Sequence, residues 1–477
     1  MGVHAAVPAP PAVLWYAPFL SGGGYCSEAH SYVEAIDMAI LARHEAEQHA
    51  KQQASDARAS RDGGEHLAGS GSGDTVERSQ KQLKNELPFT LYITQHGDSY
   101  NARFIQTIPE EMRELLQEHW IEDRDFHWRL KKSKIALAVC HSEPGAWYPA
   151  HYKTSRCPPE NTQYAVGRTM FETDRVPSGW ADRMNKMDEI WVPTKFQRQV
   201  FVDGGVRPDA VHVVPEAVDV HFFNPDHVEQ AYDLASAITS KQVTPATTVF
   251  LSVFKWEERK GWRVLLKAYF QAFSRSDDVV LVILTNAYHV KTETAQEFMD
   301  TIAAFAKEEF GKTLEELAVV HVLPPQLPQT QLPSLYKAAT AFVLPSRGEG
   351  WGRPHVEAMA MGLPIISTFW SGTTEYMTED NSYPLRIDGL VEIQEGAFRG
   401  HKWADPSISH LTELLQRVKA RPGEAREKGR RARHDMVTKY SPEIIGQVLL
   451  GHIERVLAMV SSRDTAHSAN DETHDEL

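Results

Sequence analysis

Two glutamates, Glu349 and Glu357, stand eight positions apart in LPSRGEGWGRPHVEAMAMG at 344–362. A carboxylate placed at the start of a helix can accept hydroxyl hydrogen bonds from a ribose. The glycines of this stretch, Gly348, Gly350 and Gly352, let backbone amides approach a ligand that a Cβ would hold off. Pro354 suits a first helical position, where its missing N–H costs nothing. The free amides of that helix start form an anion site, and Gly362 with Pro364 ends the helix.

A second group lies in LSVFKWEERKGW at 251–262, where Lys255 and Lys260 follow an apolar run. Two cations at a strand end can neutralise a diphosphate whose charge grows as it leaves. Lysine presents a point charge, so the bidentate fork of a guanidinium would have to come from Arg259. A third group is Gly22-Gly23-Gly24-Tyr25, glycines that could let the backbone meet a phosphate or an acceptor. Two polar clusters complete the set: His141-Ser142-Glu143, and Glu172-Thr173-Asp174. Polar groups after a buried strand fall on the rim of a ligand crevice. His141, Glu172 and Asp174 are candidates for that rim, with a simple capping role for His141 equally open. Trp147, Trp180 and Trp191 could stack on sugar faces or pack a core.

The elements that position these residues alternate between short apolar runs and helical patterns. Runs at 12–17, 90–94, 135–140, 189–193 and 211–215 make a first series. Those at 248–254, 279–284, 319–323, 341–344 and 364–367 make a second. Such alternation predicts parallel sheets with right-handed crossovers, in two Rossmann-like domains facing each other across a cleft. The expected division is a loose N-terminus at 1–11, a first domain at 12–221, a hinge at 222–245 and a second domain at 246–440. An amphipathic helix over 441–461 and a disordered acidic tail at 462–477 complete it. Within the first domain, residues 45–85 are Gln-, Ser- and Gly-rich, with GSGSGD at 69–74, and read as a disordered insertion.

A length of 477 residues favours two cores over one. The net charge of −14 speaks against a general nucleic-acid binder, which needs a basic face. Cys26, Cys140 and Cys157 match no zinc spacing and read as reduced thiols. No apolar stretch of membrane-spanning length and no secretory signal are evident, which favours the cytoplasm. Against this, His474-Asp475-Glu476-Leu477 has the form of an address for retention in the endoplasmic reticulum lumen. Both placements stay open.

The segment at 344–362 resembles the E-x7-E motif of the retaining nucleotide-sugar glycosyltransferases of the GT-B fold, the "group one" family. Pro345-Ser346, Glu349-Gly350-Trp351-Gly352, Glu357-Ala358-Met359-Ala360 and Gly362-Leu363-Pro364 carry the likeness, and SGTTEYM with Gly372 and Glu375 is similar to the family's next block. In the family an arginine stands five residues before Lys260, so Lys255 is a departure. The resemblance implies transfer of a hexosyl unit from a nucleotide diphosphate sugar to a glycan, lipid or small-molecule acceptor, with retention of configuration. It also implies that Lys255 and Lys260 hold the diphosphate and Glu357 the ribose. Glu349, with the amides of Gly350 and Gly352, would meet the sugar, and Gly23 and Gly24 the donor or acceptor; a histidine after a first-domain strand contacts the donor sugar in the family, a place that His141, or Glu172 and Asp174 in its stead, would fill. The final helix is expected to cross back onto the first domain. No Asp-x-Asp pattern is placed for a divalent ion, so metal-independent chemistry without a resident cofactor is expected. A sugar phosphorylase, a nucleotide-sugar epimerase and a non-catalytic sugar-nucleotide binder are the alternatives.

Overall fold

The computed structural model describes residues 10–59, 89–97, 100–121, 134–151, 153–287, 294–325 and 327–472. Strand β1 (Ala12–Ala17) is AVLWYA, buried at every position. A strand so apolar on both faces needs cover on both, which a helix-flanked parallel sheet supplies. It leads through the glycine turn into helix α1 (Gly24–Ala59), then β2 (Thr90–Gln95), β3 (Ile135–His141), β4 (Ala165–Arg168) and β5 (Glu189–Val192). Helix α2 (Lys195–Asp203) and β6 (Val211–Val213) complete the first sheet, in the order β2-β1-β3-β4-β5-β6.

The second sheet has β7 (Thr248–Trp256), helix α3 (Trp262–Ala272), β8 (Val279–Ala287), β9 (Val319–Val322) and β10 (Ala341–Leu344). Helix α4 (Arg353–Ala360), β11 (Ile365–Thr368) and β12 (Ser382–Leu385) follow, in the order β12-β11-β10-β7-β8-β9. Both sheets are parallel throughout, as the alternation of elements predicts. The direction of winding reverses between β1 and β3 in one sheet and between β7 and β10 in the other. Ligands of such sheets bind beyond the carboxyl ends of the strands at that reversal. The turn after β7 and the loop after β10 hold Lys260 and Glu349, and the turn after β1 holds Gly23 and Gly24.

The last helix, α5 (Pro442–Glu472), returns to the first domain and lies along α1. Gly446 makes this closeness possible, since a Cβ there would sit 2.0 Å from the Ala35 carbonyl oxygen. Ile445, Leu449, Leu450, Ile453, Val456 and Val460 are buried along the helix.

Several expectations are corrected. Residues 45–59 continue α1, exposed over 45–55, instead of opening the loose insertion. Their Ala, Glu, Gln, Lys and Arg favour helix without needing a core. Helix α5 also runs on to Glu472 and does not stop near 461. Strand β4, with Gly167 and Arg168 among its four residues, is too short and too polar to stand out as an apolar run. The antiparallel hairpin of β13 (Ile387–Glu392) and β14 (Lys402–Pro406) was also unforeseen. Cys140 and Cys157 form a disulfide, leaving Cys26 as the free thiol. Among the described residues one stretch within Pro422–Thr465 is long and apolar enough, by length and composition alone, to cross a membrane, and its apolar residues Ile445, Leu449 and Ile453 are buried where α5 lies along α1. Residues 1–9, most of the insertion and His474–Leu477 lie outside the described residues.

Candidate functional site

The loop 345–352 leaves β10 and enters α4. Its glycines are required by contacts with other elements. A Cβ on Gly348 would stand 2.1 Å from the Glu172 carbonyl oxygen, and one on Gly350 would stand 2.3 Å from the Met170 sulfur. Gly352 has φ +101°. Gly261 follows the same logic on the facing turn, with φ +67° and a Cβ position 2.0 Å from the Pro345 carbonyl oxygen. These close approaches bring the turn after β7 onto the loop after β10.

The result is a compact ionic cluster. Lys260 Nζ donates to both Glu349 oxygens, at 2.7 and 2.9 Å. Arg259 Nη1 donates to the Gly348 carbonyl at 2.8 Å and lies 3.3 Å from Glu349 Oε2. Its Nη2 reaches Glu257 at 2.8 Å and Glu172, from the first domain, at 3.7 Å. Burial pushes the Glu349 carboxyl upward, but Lys260 and Arg259 more than offset it and hold it at about 2. Lys260 is lowered by burial and by Arg259, with Glu349 opposing. The cations that reach Glu349 are therefore Arg259 and Lys260. Lys255 is exposed at the end of β7. Glu357 sits further along α4, where the Tyr336 hydroxyl donates to Oε2 at 2.9 Å. Burial raises its pKa, opposed by Arg353 and by the Tyr336 bond.

The first domain closes over this cluster. Tyr25, at the start of α1 beside Gly23 and Gly24, bonds through its hydroxyl to Thr169 Oγ1 (3.1 Å) and the Met170 carbonyl (3.2 Å). Met170 in turn lies against Gly350. Gln197, in the first turn of α2, donates from Nε2 to the Gly350 carbonyl at 2.7 Å and to the Phe171 carbonyl at 3.2 Å. Glu375 accepts the Lys195 amide at 2.8 Å, serving the start of α2 from the other domain. Arg353 reaches back to the Ala217 carbonyl at 2.7 Å. At the rim, the β13–β14 hairpin holds the segment after β4. His401 Nδ1 and Thr173 Oγ1 are 2.8 Å apart, the Lys402 amide donates to Asp174 Oδ1 at 2.6 Å, and Phe398 packs on Phe171.

His141 corrects the expectation of a rim residue. It is fully buried. Trp15 Nε1 donates to its Nδ1 at 3.2 Å, so its Nε2 carries the proton and donates to Glu28 at 2.9 Å. Glu28 also takes Arg168, with the Nε bond at 2.6 Å. Burial lowers the His141 pKa, against the pull of Glu28. Trp147, Trp180 and Trp191 are likewise buried, which makes them core residues. Glu172 stays at the cleft beside Arg259, while Asp174 belongs to the hairpin contact.

Gln197 and Arg168 had no sequence signal, since each acts through a partner distant in the chain, and Ser371 opened the quoted SGTTEYM block without being given a role. Glu375 lay within a quoted block but was given no role. Among the described residues no group of three or more His, Cys, Asp or Glu side chains is arranged to hold a metal ion.

The chain is 27% identical over 209 residues to a D-inositol 3-phosphate glycosyltransferase of Rhodococcus erythropolis, covering 44% of this chain and 41% of that protein. It is 22% identical over 294 residues to spore coat protein SA of Bacillus subtilis, covering 58% and 74%. The chain thus spans less than half the length of the first of these relatives. In fold it is similar to a Rickettsia africae glycosyltransferase (TM-score 0.56, 13% identity, 94% and 99% covered). It is equally similar to Anabaena HepE, solved with UDP and glucose (TM-score 0.54, 13% identity, 93% and 100% covered). Residues 245–392, the stretch that carries Lys260, Glu349 and Glu357, match the family of group 1 glycosyl transferases.

Proposed function

We propose that this chain is a glycosyltransferase that moves a hexosyl unit from a nucleotide diphosphate sugar to an acceptor hydroxyl with retention of configuration. The observation that carries this reading is the meeting of Lys260, Arg259 and Glu349 where the winding of the second sheet reverses, under a glycine loop and opposite the first domain. The fold neighbour solved with UDP and glucose and the E-x7-E resemblance support it.

On this reading the diphosphate takes over the charge of Lys260 and Arg259 that Glu349 holds in the structure. Glu349 then turns its carboxylate to the sugar hydroxyls, and Glu357 serves the ribose. Lys255, Gly23 and Gly24 border the phosphate path. As the bond from the anomeric carbon to the phosphate oxygen breaks, the growing negative charge meets cations already in place. The leaving phosphate oxygen takes the acceptor proton while the acceptor oxygen bonds to the same face, so no protein base is needed. Closure of the domains excludes water, which limits donor hydrolysis. The acceptor is a glycan, a lipid or a small molecule, the donor is substrate and not cofactor, and no metal takes part.

A thermal-shift panel of nucleoside diphosphates and their sugars tests the binding. A partner present at a hundred times its Kd stabilises the fold by about 2.7 kcal/mol. Incubation of the matching donor with acceptor candidates should then release nucleoside diphosphate at a rate insensitive to chelator. A panel in which no nucleotide raises the midpoint would sink the reading. Conversion of the donor to an isomer with no acceptor present would replace it with an epimerase.

A further inference from the structure

Ser371 is the non-glycine residue with positive φ among the described residues, at +68°. It is fully buried. A left-handed conformation disfavours any residue with a Cβ, and such strain persists where the surroundings impose it. Glycine would relieve it at no steric cost, so a serine here points to a use for its side chain.

That use is visible in the bonds. Ser371 Oγ accepts the Glu349 amide at 2.9 Å. The next residue, Gly372, donates its amide to the Glu349 carbonyl at 3.0 Å. Gly372 is itself pressed onto the loop, for a Cβ there would lie 2.3 Å from the Gly350 oxygen and 2.7 Å from the Glu349 oxygen. The Ser371 carbonyl is fixed by the Thr374 hydroxyl at 2.6 Å. Both backbone groups of Glu349 are therefore gripped by two adjacent residues 22 and 23 positions away. The grip sets the direction of the Glu349 Cα–Cβ bond, and with it the carboxylate that Lys260 meets.

We infer that Ser371 is a positioning residue, held in a strained conformation so that its hydroxyl can clamp the Glu349 backbone against the donor site. This rests on the functional reading above. It acts on geometry and not on donor affinity, because Ser371 needs no contact with substrate to do it.

Ser371→Gly and Ser371→Ala in the full chain separate strain from clamp. Ser371→Gly should raise the unfolding midpoint and speed hydrogen exchange in the peptide containing Glu349. It should also lower kcat ~10- to 100-fold at nearly constant donor KM, the scale of a misplaced reacting group. Ser371→Ala keeps the strain and loses the acceptor, so kcat should fall as far while the midpoint does not rise. Unchanged exchange in that peptide, or a Ser371→Gly variant with wild-type kcat, overturns the clamp. A wild-type chain that turns over no nucleotide sugar overturns the parent reading instead, and the exchange result then decides the clamp alone.

Discussion

Lys260 carries the sharpest expectation at the scale of single residues. It is nearly buried and bonded to both oxygens of Glu349. Lys260→Met keeps the stem and removes the charge, so kcat/KM for the donor should fall on the order of 10²–10³-fold, the loss seen when one preorganised donor is removed. Steady-state kinetics checks it, and a variant within tenfold of wild type would remove Lys260 from the chemistry. Glu349 and Glu28 are both held at about 2, below the ordinary 4.5. A carboxyl depressed in the folded state contributes stability that is complete above its unfolded pKa and lost as pH falls toward the folded one. Acid unfolding should therefore steepen between pH 4.5 and about 2, with Glu349 alone worth roughly 3 kcal/mol at most. Glu349→Gln should flatten that limb in a pH series of denaturant titrations.

Residue spacing made Glu349 and Lys260 legible because glycines and charges cluster locally around each. It offered Arg259, four residues beyond Lys255, as the alternative guanidinium, but only the fold shows that Arg259 and not Lys255 is the second cation on Glu349. Nor could it place His141, since rim and interior differ only through Trp15 and Glu28, which are 126 and 113 positions away. Gln197 bonds a carbonyl 153 positions along the chain. Such pairings are products of the fold, and no local pattern announces them.

At the scale of elements, the turns between strands and helices hold the site in place. Gly261→Ala would force a Cβ into the Pro345 carbonyl at a positive φ, and should cost on the order of 2–3 kcal/mol by overpacking and strain together. The same change should move Lys260 off Glu349, so activity should fall further than stability explains. Calorimetry beside kinetics distinguishes the two effects. The strands β1, β3, β7, β8 and β10 were legible as continuous apolar runs. Strand β4 was not, because a four-residue strand ending in a buried arginine looks like a loop. The hairpin was missed because its strands alternate weakly and face solvent at most positions of β13.

At the scale of the whole molecule, the closed arrangement is maintained by few bonds that differ in kind. Gln197, Glu375 and Arg353 join the domains near the glycine loop, and His401 with Thr173 and Lys402 with Asp174 join them at the rim. If a donor must enter between them, the rim contact has to open in each cycle. Thr173→Ala removes the hydroxyl that meets His401 and should speed product release with little effect on the unfolding midpoint. Transient kinetics would show this as a faster final step, and an unaltered release rate would assign the rim no gating role.

The disulfide has a practical consequence of its own. With Cys140 bonded to Cys157, Cys26 is left as a solitary thiol, packed against the Phe19 carbonyl where α1 begins beside the glycine turn. Under non-reducing conditions a thiol reagent should modify one site per chain, and only when the start of α1 loosens. The chain thus comes with its own chemical stopwatch for breathing at that turn, and nucleotide should slow it.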